Sequence, residues 1–367
     1  MATTGTPDEN WTPDGLAGHL REASLARVVS RADGDGLAAA AILGRALAAR
    51  NIPRHLSLSP TVADATTRLS ESSTAVTLGF PVGEHVCDAE AAALCAYAVA
   101  RELGTDPDPG LAIAGAVAAD IEPHGPALDA ARERGLTNRA GLAIPTTDPA
   151  VGLAHTGLVH ADFSGSVEAA SDFLAPLDLP AELEADANER LASAVALAAT
   201  DTARPDRATR AIEAAIAPRS SPTDFETVEG YADVLNASAA MAPGRALAAL
   251  LGTPELATLR TLWEQYGTAL HRAVDDLAPS AGPVAMGTVE AIPPRDVARL
   301  GRDFQVDADR LYVAGPGAIT LATSEVDARE RLEIEFPSEA ITGTDRLATV
   351  QTETDLETVL TEVEPTR

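Results

Sequence analysis

The sequence predicts an α/β chain in three parts. An N-terminal domain on a parallel sheet covers 1–160, a helical connector covers 161–224, and a smaller α+β domain covers 225–367. Three observations predict it. Short Val- and Leu-rich runs alternate with Ala-rich helical stretches as far as Gly104, the pattern of a parallel sheet covered by helices. From about 108 to 240 the chain reads as helix, broken at PHGP, LPAEL and APRSSPTD. Beyond 280 it changes to short apolar runs separated by turns.

Each element has a local reason. TPDGLAGHLREA is a first helix, with Thr12 as N-cap and Pro13 at the first helical position. LARVVS (25–30) is a buried strand, and after a loop residues 37–50 form a helix. RHLSLS (54–59) alternates as a strand, TVADATTRL is a helix, and TAVTLG (74–79) is a third strand. DAEAAALCAYAVARELG is a helix with Gly104 at its C-terminal cap. SSPTD (220–224) is the best linker candidate. PVAMGTVEAI, RLYVAGPGAITLATS, RLEIEFPS and RLATVQT read as C-terminal strands.

Composition sets the surroundings. The 367 residues suffice for two cores. They carry 55 acidic against 27 basic side chains, a net charge of -28, and every basic residue is Arg. Aromatics make up 3 %, and Ala fills places usually held by larger apolar residues. An acidic surface kept soluble in a cytoplasm of very high salt fits this best. A GC-rich genome explains Ala and Arg, but not twice as many acids as bases. In dilute buffer such a field repels nucleic acid. At molar salt the Debye length falls to about 3 Å, so a nucleic-acid partner stays open. Cys87 and Cys95 make neither a disulfide framework nor a zinc knuckle, and reduced thiols are expected. The N-terminus lacks the basic start and apolar core of a signal peptide, and no apolar run is long enough to span a bilayer. A soluble cytoplasmic protein without membrane partners is expected.

The stretch that bears on function is VVSRADGDGLAAAAIL (28–43). Asp33 and Asp35 leave the C-terminal end of the first strand, where ligands bind in open α/β sheets. Their hard oxygens suit Mg²⁺ or Mn²⁺. Gly34 and Gly36 permit a tight backbone, and the following helix N-terminus could face a phosphate. Taken alone, D-G-D-G is equally an ordinary acidic turn.

In its setting, S-R-A-D-G-D-G-L-A-A-A-A-I-L (30–43) resembles the first motif of the DHH phosphoesterase superfamily, which includes the RecJ exonucleases. That motif reads S-H-x-D-x-D-G before a small-residue helix. VEGYADVLNASAAMAPGRALAALLG (228–252) is similar to a segment of archaeal RecJ-like proteins. LAIAGAVAADIEP (111–123) looks like the helix with the superfamily's fourth motif. The resemblance implies a DHH-type N-terminal domain, a DHHA1-like C-terminal domain, and a centre of two Mn²⁺ ions held by His and Asp. In it, a bridging hydroxide attacks phosphorus.

The sequence departs from that pattern where the metals would sit. The motif His is Arg31, which has no lone pair for a cation. TAVTLGFPVG has no acid until Glu84, and the D-H-H triplet is missing. His85 in GEHVCD is a remnant at most, Asp120 matches the fourth motif with an extra residue of spacing, and AGPGA (314–318) has no His. No cofactor is therefore expected; Mn²⁺ or Mg²⁺ at Asp33, Asp35, Asp120 and His85 is the expectation if the chain is active. Arg31 is expected to replace a metal by bidentate pairing with the two aspartates. Arg31, Gly34, Gly36, Tyr231 and Asn236 are the candidate substrate-binding residues, Tyr231 as a base-stacking ring in an interdomain cleft. The resemblance then implies a degenerate RecJ-like protein that binds a protein partner or single-stranded nucleic acid in replication, repair or nucleic-acid turnover. The alternative is an active Mn²⁺-dependent single-strand exonuclease.

Other candidates have simpler readings. His155 and His160, beside Asp162, are a possible metal cluster, but a spacing of five fits neither a helix face nor a strand face. His19, His55, His124 and His271 read as isolated surface or satisfied positions. Ser164 lacks a nucleophile elbow. Cys95 reads as a small core residue, and Trp263 and, most simply, Tyr231 read as core anchors. Arg204, Arg207, Arg210 and Arg219 read as a solvated face with local ion pairs.

Overall fold

A computed structural model describes residues 12–69, 75–83, 85–87, 91–180, 183–201, 205–220, 223, 225–252, 255–278, 282–324 and 326–352. The SSPTD linker falls largely outside these residues, as do Glu84, Asp88 and Arg204. The chain forms two compact units that interleave in sequence. One comprises 1–139, 143–147 and 218–263; the other comprises 140–142, 148–217 and 264–367. Residues 225–263, read from sequence as part of the C-terminal domain, thus belong with the N-terminal α/β unit.

The first unit runs α1 (Pro13–Glu22), β1 (Ala26–Arg31), α2 (Gly34–Ala49), β2 (Arg54–Ser59), α3 (Val62–Leu69), β3 (Ala75–Leu78), β4 (His85–Cys87), α4 (Ala92–Glu102), α5 (Pro109–Ala118), α6 (Gly125–Glu133) and β5 (Thr137–Asn138). Thr12 caps α1 as the sequence predicts, accepting from the Gly15 amide. Strand β4 lies outside the sequence expectation. The sheet is parallel, ordered β2-β1-β3-β4. The chain leaves β1 for β2 on one side and returns to β3 on the other. The C-terminal end of β1 is therefore a topological switch point, the usual place for a ligand crevice in such sheets.

Ala and Gly on the helices let α2, α4, α5 and a returning helix pack closely. Helix α2 is buried through most of its length. A Cβ at Gly115 of α5 would meet Ala93 Cβ at 2.5 Å and Ala38 Cβ at 2.8 Å, so a methyl group there would force the helices apart.

The second unit begins with α7 (Pro149–His155), α8 (Val167–Leu174), α9 (Ala185–Asp201) and α10 (Pro205–Ile216). The chain then re-enters the first unit with β6 (Arg219–Ser220), α11 (Val228–Met241) and α12 (Pro243–Leu251). Helix α11 packs on α2 and α5. Helix α13 (Leu256–Asp275) crosses the division. The second unit then adds β7 (Val284–Thr288), α14 (Pro294–Leu300), β8 (Arg310–Gly315), β9 (Ala318–Thr323), α15 (Ala328–Glu335), β10 (Ile341–Gly343) and β11 (Leu347–Gln351). Its sheet is ordered β10-β11-β9-β8-β7, with only the β7–β8 pair parallel.

One C-terminal run differs from expectation. RLEIE (331–335) is the end of helix α15, with Phe336 as its C-cap, not a strand. Asp327 caps that helix at the Glu330 amide, and Arg329–Glu333 and Arg331–Glu335 pair one turn apart, contacts that a strand does not make. Among the described residues no helix is long and apolar enough to cross a membrane.

Candidate active-site loop

The loop between β1 and α2 is built by its own glycines and aspartates. Asp33 is the N-cap of α2 and accepts from the Gly36 amide at 2.8 Å. Ser30 Oγ donates to the Gly36 carbonyl at 2.7 Å, fastening the other side of the turn. Gly36 is obligatory here, because a Cβ would lie 2.2 Å from the Arg31 carbonyl oxygen. Gly34 is also confined, by Asn236 Oδ1 at 2.3 Å from its hypothetical Cβ. These contacts explain why the predicted substrate-binding residues Gly34, Gly36 and Asn236 come together. Asn236 itself donates from Nδ2 to the Ala118 carbonyl at 3.2 Å.

Asp35 has a different partner from the one expected. It is 8 % exposed, and its two oxygens accept from the amides of Ala92 and Ala93 at 2.8 Å each. Those amides open α4, whose own N-cap residue, Ala91, supplies no side-chain bond. Asp35 therefore caps α4 from across the core, where two unsatisfied donors and the positive end of the helix dipole meet. Burial and the neighbouring Asp33 push its pKa up to about 7, against the two amide bonds and Arg31, which pull it down.

Arg31 does not clamp both carboxylates. Its Nε lies 3.6 Å from Asp33 Oδ2, both side chains being about two-fifths exposed, and its guanidinium carbon is 5.3 Å from the Phe80 ring centre. The expected bidentate pairing is replaced by one loose ion pair and a cation–π contact. The amide groups of α4, more than the guanidinium, compensate Asp35.

The other predicted ligands, His85 and Asp120, have contacts of their own. The His85 ring packs on His19, with centres 3.7 Å apart. Asp120 is exposed, in the left-handed region (φ 60°) just past the end of α5, with its amide donating to the Val117 carbonyl. Among the described residues no group of three or more His, Cys, Asp or Glu is arranged to hold a metal ion. The two carboxylates present, one a cap at α2 and the other a cap at α4, do not fit a two-manganese centre. Tyr231 is buried against Phe225, ring centres 4.5 Å apart, inside the first unit. Trp263 is the core anchor expected, donating to Asp233 at 2.7 Å.

Sequence reasoning missed two constellations. Cys87, ending β4, and Cys95, in the first turn of α4, form a disulfide, correcting the expectation of reduced thiols. In the second unit, His160 Nδ1 lies 3.0 Å from His271 Nδ1, and His160 Nε2 lies 3.2 Å from Asp275. His271 Nε2 meets the Thr156 carbonyl at 3.0 Å. His271 is thus fully buried, not an isolated residue, and burial drives its pKa down to about 3. His155 contacts the Val151 carbonyl and takes no part in a cluster with Asp162. Arg207, read as solvated, has its side chain buried against Asp309 and the Ala308 carbonyl. Pairings across 111 residues of sequence, as between His160 and His271, leave no local signal.

No family model matches the chain. An uncharacterized protein of Haloarcula marismortui, rrnAC1427, is 38 % identical over 341 residues, covering 90 % of each chain. Among solved structures, CDC45 from Entamoeba histolytica aligns with a TM-score of 0.56 at 8 % identity, over 95 % of this chain and 96 % of that one. RecJ from Thermus thermophilus in complex with Mn²⁺ aligns with a TM-score of 0.48 at 16 % identity, over 96 % of this chain, which spans 54 % of that one.

Proposed function

We propose, for a chain that belongs to one family with rrnAC1427 of Haloarcula marismortui and carries a RecJ-like, DHH-type fold, that it acts by binding and not by phosphoester cleavage. The observation that carries this reading is the double capping at the switch point. Asp33 is bonded to the Gly36 amide and Asp35 to the Ala92 and Ala93 amides, while Arg31 puts a fixed cation beside them. A metal-held hydroxide needs several convergent ligands around each ion, whereas these carboxylates are committed to capping two helices beside a resident cation. This loop offers a rigid turn with a part-exposed guanidinium.

The binding role belongs to DNA replication or repair, with a protein or single-stranded nucleic acid as partner. The sequence resemblance to RecJ-like proteins supports that assignment, and the fold shared with CDC45 accords with it. Fold alone does not carry function, so the test is biochemical. Wild type and Asp33→Asn are incubated with single-stranded DNA and Mn²⁺ in molar potassium chloride, and a tagged chain is recovered from cells at native salt. The expected result is no metal-dependent cleavage by either protein, with a replication or repair component co-purifying. Cleavage by wild type that Asp33→Asn abolishes would overturn the reading.

A further inference from the structure

The disulfide sits where it can govern the capping of α4, and this holds whether the chain cuts nucleic acid or only binds it. Cys87 ends β4, and its carbonyl accepts from the Gly79 amide at 3.1 Å. Cys95 lies one turn into α4, with Cα atoms of the pair 6.0 Å apart. A Cβ at Gly79, just past β3, would lie 3.5 Å from Arg31 Cβ and 3.7 Å from Ala92 Cβ, so this point of the chain lies beside both the start of the candidate loop and the first residue of α4. The first turn of α4 is therefore held by two devices: the Asp35 carboxylate on its amides, and the covalent link from Cys95 to the sheet edge. No side chain of its own caps it.

We propose that Cys87 and Cys95 are a reversible redox pair that sets how firmly the first turn of α4 holds the Asp35 carboxylate. The co-reactant is a dithiol. Cys87 is 1 % exposed and Cys95 half-buried, so attack falls on Cys95 Sγ. One dithiol thiolate forms a bond to that sulfur, and the Cys87–Cys95 bond breaks. Cys87 leaves as thiolate and takes a proton from solvent. The second thiol of the reductant then attacks the mixed disulfide and releases Cys95 as thiolate, which is protonated in turn. The protein gains two electrons and two protons, and the dithiol becomes a cyclic disulfide. In the reduced protein the turn rests on the Asp35 carboxylate alone.

The full chain, prepared without reductant in molar potassium chloride, is poised across a series of reduced and oxidised dithiothreitol ratios. Each sample is alkylated for mass spectrometry and followed by hydrogen exchange. The expected result is a single two-electron transition, with amides 92–95 exchanging about tenfold faster in the reduced form. Amides of β8 and β9 are expected to stay unchanged. The paired variant Cys87→Ser/Cys95→Ser is expected to match the reduced form. Two free thiols in protein trapped directly from cells and again after oxidised dithiothreitol would overturn the proposal. So would reduction that leaves amides 92–95 as protected as before.

Discussion

Replacing Gly36 by Ala tests the turn that organises the switch point. The new Cβ would lie 2.2 Å from the Arg31 carbonyl oxygen, 2.9 Å from its carbon and 3.0 Å from its nitrogen. Those are backbone atoms of a strand paired on both sides, to β2 and β3, so they cannot yield cheaply. Overpacking of this kind costs about 1–3 kcal/mol, and more where the obstacle is backbone. Displacing the amide that Asp33 caps adds about 1 kcal/mol. The expected loss is roughly 3–4 kcal/mol, which corresponds to a fall in melting temperature of roughly 10 °C. Gly18 is the control. It lies inside α1 with nothing within 4 Å of its hypothetical Cβ, and Gly18→Ala is expected to stabilise by about 0.5–1 kcal/mol through helix propensity. Circular dichroism melts in molar salt, confirmed by denaturant titration, read both. Gly36→Ala within about 1 kcal/mol of wild type would refute the turn geometry.

Arg31→Ala is expected to cost no more than about 1 kcal/mol, since the ion pair is long and two-fifths exposed and the Phe80 contact is single; a loss above about 3 kcal/mol would show that Arg31 clamps the loop after all. Asp35 gives a pH signature in the first unit. Its pKa is about 7 folded against 3.8 as the ordinary value, so between those values the folded state holds the proton and the unfolded state does not. Stability is full below about pH 4 and falls through pH 7, by up to about 1.4 kcal/mol per pH unit. Asp35→Asn should flatten that slope in hydrogen exchange of α4; an unaltered slope contradicts the assignment. His271 runs the other way in the second unit. With a folded pKa near 3 against 6.5, it stays neutral in the fold while the unfolded chain takes a proton. Its stability contribution is present above pH 6.5 and lost as pH falls toward 3, and His271→Gln should reduce that acid sensitivity as read at the amides of α13. No change would mean His271 is protonated in the fold.

The first strand, its acidic turn and α2 were legible because their determinants are local. Asp33 caps a helix three residues on, Gly36 is required by a backbone five residues back, and Thr12 and Pro13 start α1 in the same way. The short-range pattern failed where two periodicities coincide. Leu332, Ile334 and Phe336 alternate like a strand, yet the Arg–Glu pairs one turn apart belong to α15, and Ile334 is left exposed. The partner of Asp35 could not be read at all. It is a pair of backbone amides on alanines 57 and 58 residues away, and an alanine carries no sign of what its amide will bind. The same distance hid the His160–His271 contact and the return of α11 to the first unit. Arg31 was recognised as a cation in an unusual place, but its length let it lean on Phe80 and not bridge both acids.

The central claim is that backbone amides occupy the acidic pair at the end of β1. Titration of manganese chloride into the purified chain by calorimetry in molar potassium chloride tests it most directly. The account expects no sub-millimolar binding, and the same flat trace from Asp33→Asn. Sub-millimolar uptake of two ions, lost in Asp33→Asn, would contradict it.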